Sequence, residues 1–306
     1  MSEPIQPDQS HRLAEVLGDA LAHAANETLI LARLEEFFSP KPAKLAISKE
    51  SANAIDQQVD RLVATYGGAP RLIIKGINDP KPLYDTYMSA ALTEVIEVFR
   101  RARRSLCRAQ TFMIGAHLLQ TNPEYLSLPP DKEVQRTFQI NTEAVFWEHA
   151  ETSFIRLAGY WDRIGQVLDF AFFSIRQYER DGFSSVVDRI RANVLRMHPE
   201  LAATDSWRAI WNYKKSEGED GLQWLLSRRN LLVHSLHLRA AENSEEDELF
   251  ESAFNHLDER LRHNLAPGTL EKEIERIHVH LSLAAALFPH ILTLCELHAK
   301  HRGKLV

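Results

Sequence analysis

Cysteine is scarce in this 306-residue chain: there are two, Cys107 and Cys295, far apart and in no CxxC pair. That excludes a disulfide framework and a cysteine-held zinc, and reads as buried thiols in a reduced compartment. No run of about 18 apolar residues stands out, so no membrane span is expected. The opening stretch MSEPIQPDQSHRL has neither a basic n-region nor an apolar h-region, so no signal peptide is expected, and the location that follows is cytoplasmic. Neither sign of charge dominates: 36 Lys and Arg stand against 42 Asp and Glu, a formal net charge of -6. Bulk positive charge therefore does not coat nucleic acid, although local basic patches can still bind it. No glycine-rich phosphate loop, Gly-x-Ser-x-Gly elbow or Rossmann fingerprint occurs, and no cofactor is implied.

Strand-type alternation is missing as well. The short apolar runs Leu45-Ala46-Ile47 and Leu72-Ile73-Ile74, flanked by proline and glycine, read as connectors. What remains is helical periodicity from end to end, in a chain with 44% hydrophobic and 25% charged residues, the balance of a folded globule. Helices are expected over about 10–38, from a Ser48 or Ser51 cap to Tyr66, and over 84–119. The proline-rich stretch Thr121–Asp131 is the expected domain boundary, dividing an N-terminal helical region (1–135) from a helical bundle (136–306). In the second part helices are expected over 142–178, 184–197, 207–215 after an Asp205 or Ser206 cap, 222–240 and 270–302, with a minor one after the acidic stretch 242–251. The first carries Phe154, Leu157, Trp161, Ile164, Leu168 and Ile175 at bundle-type spacing. The fold class is all-α, its C-terminal part an antiparallel bundle of four-helix type.

Chemistry concentrates in the segment LQWLLSRRNLLVHSLHLRA. Its apolar stripe is expected to be Leu222, Leu226, Val233 and Leu236, which places Arg229 among core-type positions. A guanidinium there needs a cleft, an interface or an anionic partner. Asn230, His234 and His237 form a polar stripe beside it. Arg229 and His234 are about 140° apart around the helix axis, and the long arginine lets both line one groove.

Arg229-Asn230-Leu231-Leu232-Val233-His234 resembles the Arg-(four to six residues)-His motif of the HEPN superfamily, including the polar residue after the arginine. The resemblance covers roughly residues 140–302, and the first 135 or so match no family. It implies a helical bundle that forms a homodimer with two such motifs facing across a cleft. It also implies either a metal-independent endoribonuclease of a toxin–antitoxin or defence system, with RNA as substrate and an antitoxin or defence protein as partner, or a non-catalytic RNA- or nucleotide-binding module. One toxin branch has a tyrosine two residues after the histidine; here Leu236 stands there, so modification-based control is not expected.

The residue types suit RNA cleavage. His234 can take the proton of a 2′-hydroxyl or return one to the leaving 5′-oxygen. Arg229 can donate in fork geometry to the scissile phosphate, and Asn230 can orient phosphate or imidazole. The product would be a 2′,3′-cyclic phosphate. The structural alternative pairs Arg229 with a bundle carboxylate such as Asp162 and makes His234 a satisfied core histidine. Glu151, Asp162 and Asp169 share one helix flank, from which Asp162 can orient Arg229 or His234. Arg228 and His237 are further RNA-binding candidates. Arg100, Arg104 and Arg108 share a stripe within a basic cluster with Arg101 and Arg103, either a backbone-binding patch or a solvated face, with Glu97 in i, i+4 register to Arg101. His278 with His280, and His298 with His301, lack the further ligands that a metal requires, so no metal site is expected.

Overall fold

A computed structural model describes residues 7–38, 49–67, 86–122, 131–176, 182–234 and 266–301. All regular structure among the described residues is helical. The helices are α1 (Pro7–Phe38), α2 (Lys49–Gly67), α3 (Tyr87–Thr121), α4 (Lys132–Phe173), α5 (Phe183–Arg189), a π-helical turn (Ile190–Val194), α6 (Leu195–Met197), α7 (Pro199–Ala202), α8 (Asp205–Lys215), α9 (Leu222–His234) and α10 (Leu270–His301). The expected connectors at 45–47 and 72–74, the Ser48 cap, His237 and the segment 242–251 lie outside the described residues.

The centre is α4, 42 residues long and begun by Asp131, whose Oδ1 accepts from the backbone N–H groups of Glu133 (2.8 Å) and Val134 (3.3 Å). It starts ten residues before the expected 142, because that capping aspartate directly follows the prolines. It ends at Phe173 rather than 178, where Ser174 turns left-handed (φ 60°) and its N–H returns to the Asp169 and Phe170 carbonyls. The bundle stripe Phe154, Leu157, Trp161, Ile164 and Leu168 is fully buried. Ile175 falls beyond the helix and is half-buried.

Contacts set the directions. Tyr87 meets Phe170, Phe99 meets Tyr160 and Phe112 meets His149, so α3 runs antiparallel to α4. The Tyr160 hydroxyl donates to the Ala284 carbonyl (3.1 Å) and His298 stacks on Phe172, so α10 runs parallel to α4. Trp224 stacks on His280, and Arg228 pairs with Glu273, which sets α9 antiparallel to α10. Trp161 packs against Tyr160, Phe183 and Tyr213, joining α4, α5 and α8. Ile55, Leu62 and Tyr66 of α2, and Met88 through Ala109 of α3, belong to the same hydrophobic core as α4 to α10, so the described residues on the two sides of the expected boundary share one core. Thr204, not Asp205 or Ser206, caps α8: its Oγ1 accepts from the Trp207 N–H (3.1 Å).

By length and composition α10 could cross a membrane, with a mean hydropathy of 1.5 over 18 residues, but half of that window is buried against the rest of the protein. Both cysteines are buried thiols, and burial pushes Cys295 up to about 12.

Helix α4 approaches α5 closely at Gly165, where an added Cβ would sit 2.9 Å from the Phe183 nitrogen and 3.0 Å from its Cα. Gly159, six residues earlier, has nothing within 4 Å of the same position. Gly165→Ala should therefore cost about 1–3 kcal/mol in urea denaturation, whereas Gly159→Ala should be neutral or stabilise by up to about 1 kcal/mol.

Candidate functional site

The expected register of α9 is off by one position. The buried guanidinium is Arg228, with no exposed surface, and Arg229 is half-buried. The core face of α9 reads Leu222, Trp224, Leu225, Arg228 and Leu231, while Leu226 is half-buried, Val233 is 46% exposed and Leu236 is outside the described residues. Two aromatic rings select this register: Trp224 packs edge-on against Phe154, and the Arg228 guanidinium lies 5.4 Å from the Phe154 centroid and 5.5 Å from that of Trp224.

Arg228 is neutralised from α10. Its Nη2 donates to Glu273 Oε2 at 2.8 Å, and both side chains are fully buried. Glu273 Oε1 accepts from Arg276 Nη1 (2.6 Å) and the Gly268 N–H (2.8 Å). Arg276 reaches Glu219 Oε1 (2.8 Å), and its guanidinium lies 5.5 Å from the Trp224 centroid. Desolvation pulls the Arg228 pKa down against the opposing field of Glu273. A guanidinium so enclosed does not reach RNA, and Arg228 is corrected from RNA contact to a structural lock.

Arg229 stands on the flank of α9 facing α4. Its Nη1 donates to Asn230 Oδ1 (3.0 Å), and Asn230 is exposed. Asp162, on α4, feels the positive charge of Arg229: burial pushes its carboxyl pKa up, and Arg229 and Arg163 oppose that shift. The carboxylate flank of α4 thus faces cations all along, with Glu151 in the field of Arg228 and Asp169 bonded to Arg189 at 2.5 Å. His234 is the last residue of α9. With Arg228 as the inward direction, residues 229 and 234 fall at about 100° and 240° around the axis; the arc between them holds exposed Gln223, Asn230 and Val233 together with buried Leu222 and half-buried Leu226.

The basic stripe on α3 gains a residue that sequence reasoning missed. Arg156 of α4 bonds to Ser105 Oγ (2.5 Å) and the Arg101 carbonyl (2.9 Å), with Arg101, Arg104 and Arg108 around it. Burial lowers its pKa first, and the three neighbouring arginines lower it further. Only the antiparallel pairing of α3 and α4 brings it there. Arg100 and Arg104 are exposed and Arg108 is half-buried. Glu97 pairs with Arg100 (2.5 Å) rather than with Arg101. The stripe is separate from Arg229, which lies on the opposite flank of α4.

An open pocket of about 400 Å³ lies between the end of α3, the first part of α4 and the start of α10, with His117 and Glu271 paired at 2.7 Å on its wall. Neither Arg229 nor Asn230 lines it. His278 hydrogen-bonds Gln110 (2.9 Å), and His280 lies flat on Trp224, so these two are packing histidines.

Comparison with known proteins matches no family model, no curated protein and no solved structure.

Two predictions follow from the enclosed groups. Glu273→Gln leaves Arg228 desolvated beside a neutral amide and should cost about 3–5 kcal/mol in denaturation; Glu219→Gln, at the exposed end of the same network, should cost no more than about 1 kcal/mol. Burial pushes His280 down to about 4 from 6.5. The unfolded chain then binds the extra proton first, so stability falls as pH drops from about 6.5 to about 4, by an amount of order 3 kcal/mol. A pH series of thermal melts on wild type and His280→Phe checks this, with a flatter acid limb expected for the variant.

Proposed function

We propose that this protein is a HEPN-type, metal-independent endoribonuclease of a bacterial defence or toxin system, acting in the cytoplasm as a homodimer. The observation that supports the reading is that residues 229 and 234 flank the exposed Asn230 and Val233 near the end of α9, with Arg228 locked beneath them. Val233 is 46% exposed there, and Ile155 on α4 is 39% exposed. A second copy docked on this surface would bring Arg229 of one subunit toward His234 of the other. Arg229, steered by Asp162 and Asn230, would hold the scissile phosphate. His234 would take the 2′-hydroxyl proton, and the oxygen would attack phosphorus with loss of the 5′-oxygen to give a cyclic phosphate.

A second reading is a non-cleaving RNA-binding module. The arginine patch of Arg101, Arg104, Arg108 and Arg156 favours it, since such a patch holds RNA backbone without chemistry.

Purified protein incubated with mixed RNA in excess EDTA separates the two. The enzyme reading expects chelator-resistant cutting that drops by about 100-fold or more in Arg229→Ala and His234→Ala. Salt-sensitive RNA binding with no cutting, weakened by Arg104→Ala with Arg156→Ala, would favour the module instead. A monomer by light scattering at micromolar concentration counts against the composite cleft.

A further inference from the structure

At the far end of α10 the fold assembles side chains that lie apart in sequence. We propose that His198, Glu200 and His301 bind a divalent transition-metal cation of the zinc class, tying the carboxyl end of α10 to the junction of α6 and α7. The sequence pairs His298 with His301, but His298 is buried and stacked on Phe172. The partners of His301 come instead from the chain about a hundred residues earlier.

The donor set is suitable in type and spacing. Imidazole nitrogen and carboxylate oxygen are zinc ligands, and two histidines with one carboxylate leave a fourth position for water. His198 Nδ1 lies 3.3 Å from Glu200 Oε1, and His301 Nδ1 lies 3.4 Å from the same oxygen. Donors roughly 2.0–2.1 Å from a tetrahedral ion sit roughly 3.3–3.4 Å apart, so both edges to the carboxylate already have the length that an ion requires. One donor atom from each of the three residues falls within 4.8 Å of the other two, and the imidazole centroids are 5.1 Å apart. Closing the remaining edge takes a rotation of the rings, which are 29% and 33% exposed.

The backbone explains the convergence. Residues two apart on a helix point away from each other, but His198 precedes Pro199 and has φ -130° and ψ 68° as the N-cap of α7. Proline at the first helical position then fixes the step to Glu200. Leu201, buried beside them, seats this turn in the core, and α7 lies against α10. The two donors therefore ride on a stiff tripeptide held in front of the last turn of α10.

The site is remote from α9. Glu273 and His301 are 28 helical residues apart, about 42 Å along α10, so metal here would brace the fold and take no part in RNA cleavage.

The test uses the full chain, stripped with EDTA, dialysed and titrated with zinc chloride alone by calorimetry, with thermal melts in parallel. One saturable site per chain is expected, accompanied by a rise in melting temperature. His301→Ala and Glu200→Gln should each weaken that site by about tenfold or more and abolish the rise, while His290→Ala should leave both unchanged. These side chains are partly exposed, and circular dichroism confirms that the variants are folded. Absence of a saturable site in the wild type, or equal zinc affinity in the wild type, His301→Ala and Glu200→Gln, would overturn the proposal. The readout does not depend on RNA cleavage.

Discussion

An arginine with no solvent-exposed surface must find its counter-charge inside the protein, and around Arg228 that need organises three helices. Glu273 supplies the charge, Arg276 and the Gly268 N–H occupy its second oxygen, and Glu219 extends the network to solvent. Phe154 and Trp224 pack against the guanidinium, so α4 contributes a ring, α9 the cation and another ring, and α10 the anion. Such a pair adds little net stability over well-packed apolar groups, yet breaking it is costly. Its effect is to make one register of α9 much better than its neighbours.

That register decides what the remaining residues of α9 can do. With residue 228 inward, Arg229 lies where Asp162 feels its charge, and Asn230 and Val233 are exposed to solvent. A rigid helix locked from below is a sound support for groups that must meet a substrate or a second subunit within a fraction of an ångström. The proposed function needs that rigidity, since α9 of each subunit would present its cleavage groups to the other.

The longest elements also separate roles in space. Antiparallel α3 and α4 gather the arginine patch on one side, while Asp162 on another flank of α4 lies in the field of Arg229 on α9. The first turns of α10 hold the lock and its last turn presents His301. A 32-residue helix thus joins a buried ion pair at one end to a candidate cation site at the other, with Tyr160, Leu281, Ala284 and Phe288 packed between them.

Helical periodicity made the all-α class, the inward stripe of α4 and the buried cysteines legible from residues alone, because a 3.6-residue period repeated over many turns is a local signal. The bounds of α4 and the cap of α8 were less legible, since several capping residues stand close together and packing chooses among them. The influence of Arg229 on Asp162 is electrostatic only, the hydrogen bond of Arg229 going to Asn230. Which of two adjacent arginines goes inside could not be read: both fit the pattern, and the deciding partner, Glu273, lies 45 residues away on another helix. Arg156 joining the α3 arginines, and His198 and Glu200 meeting His301, depend in the same way on contacts between distant segments. Periodicity carries no information about what stands opposite a side chain; only the packed helices supply that.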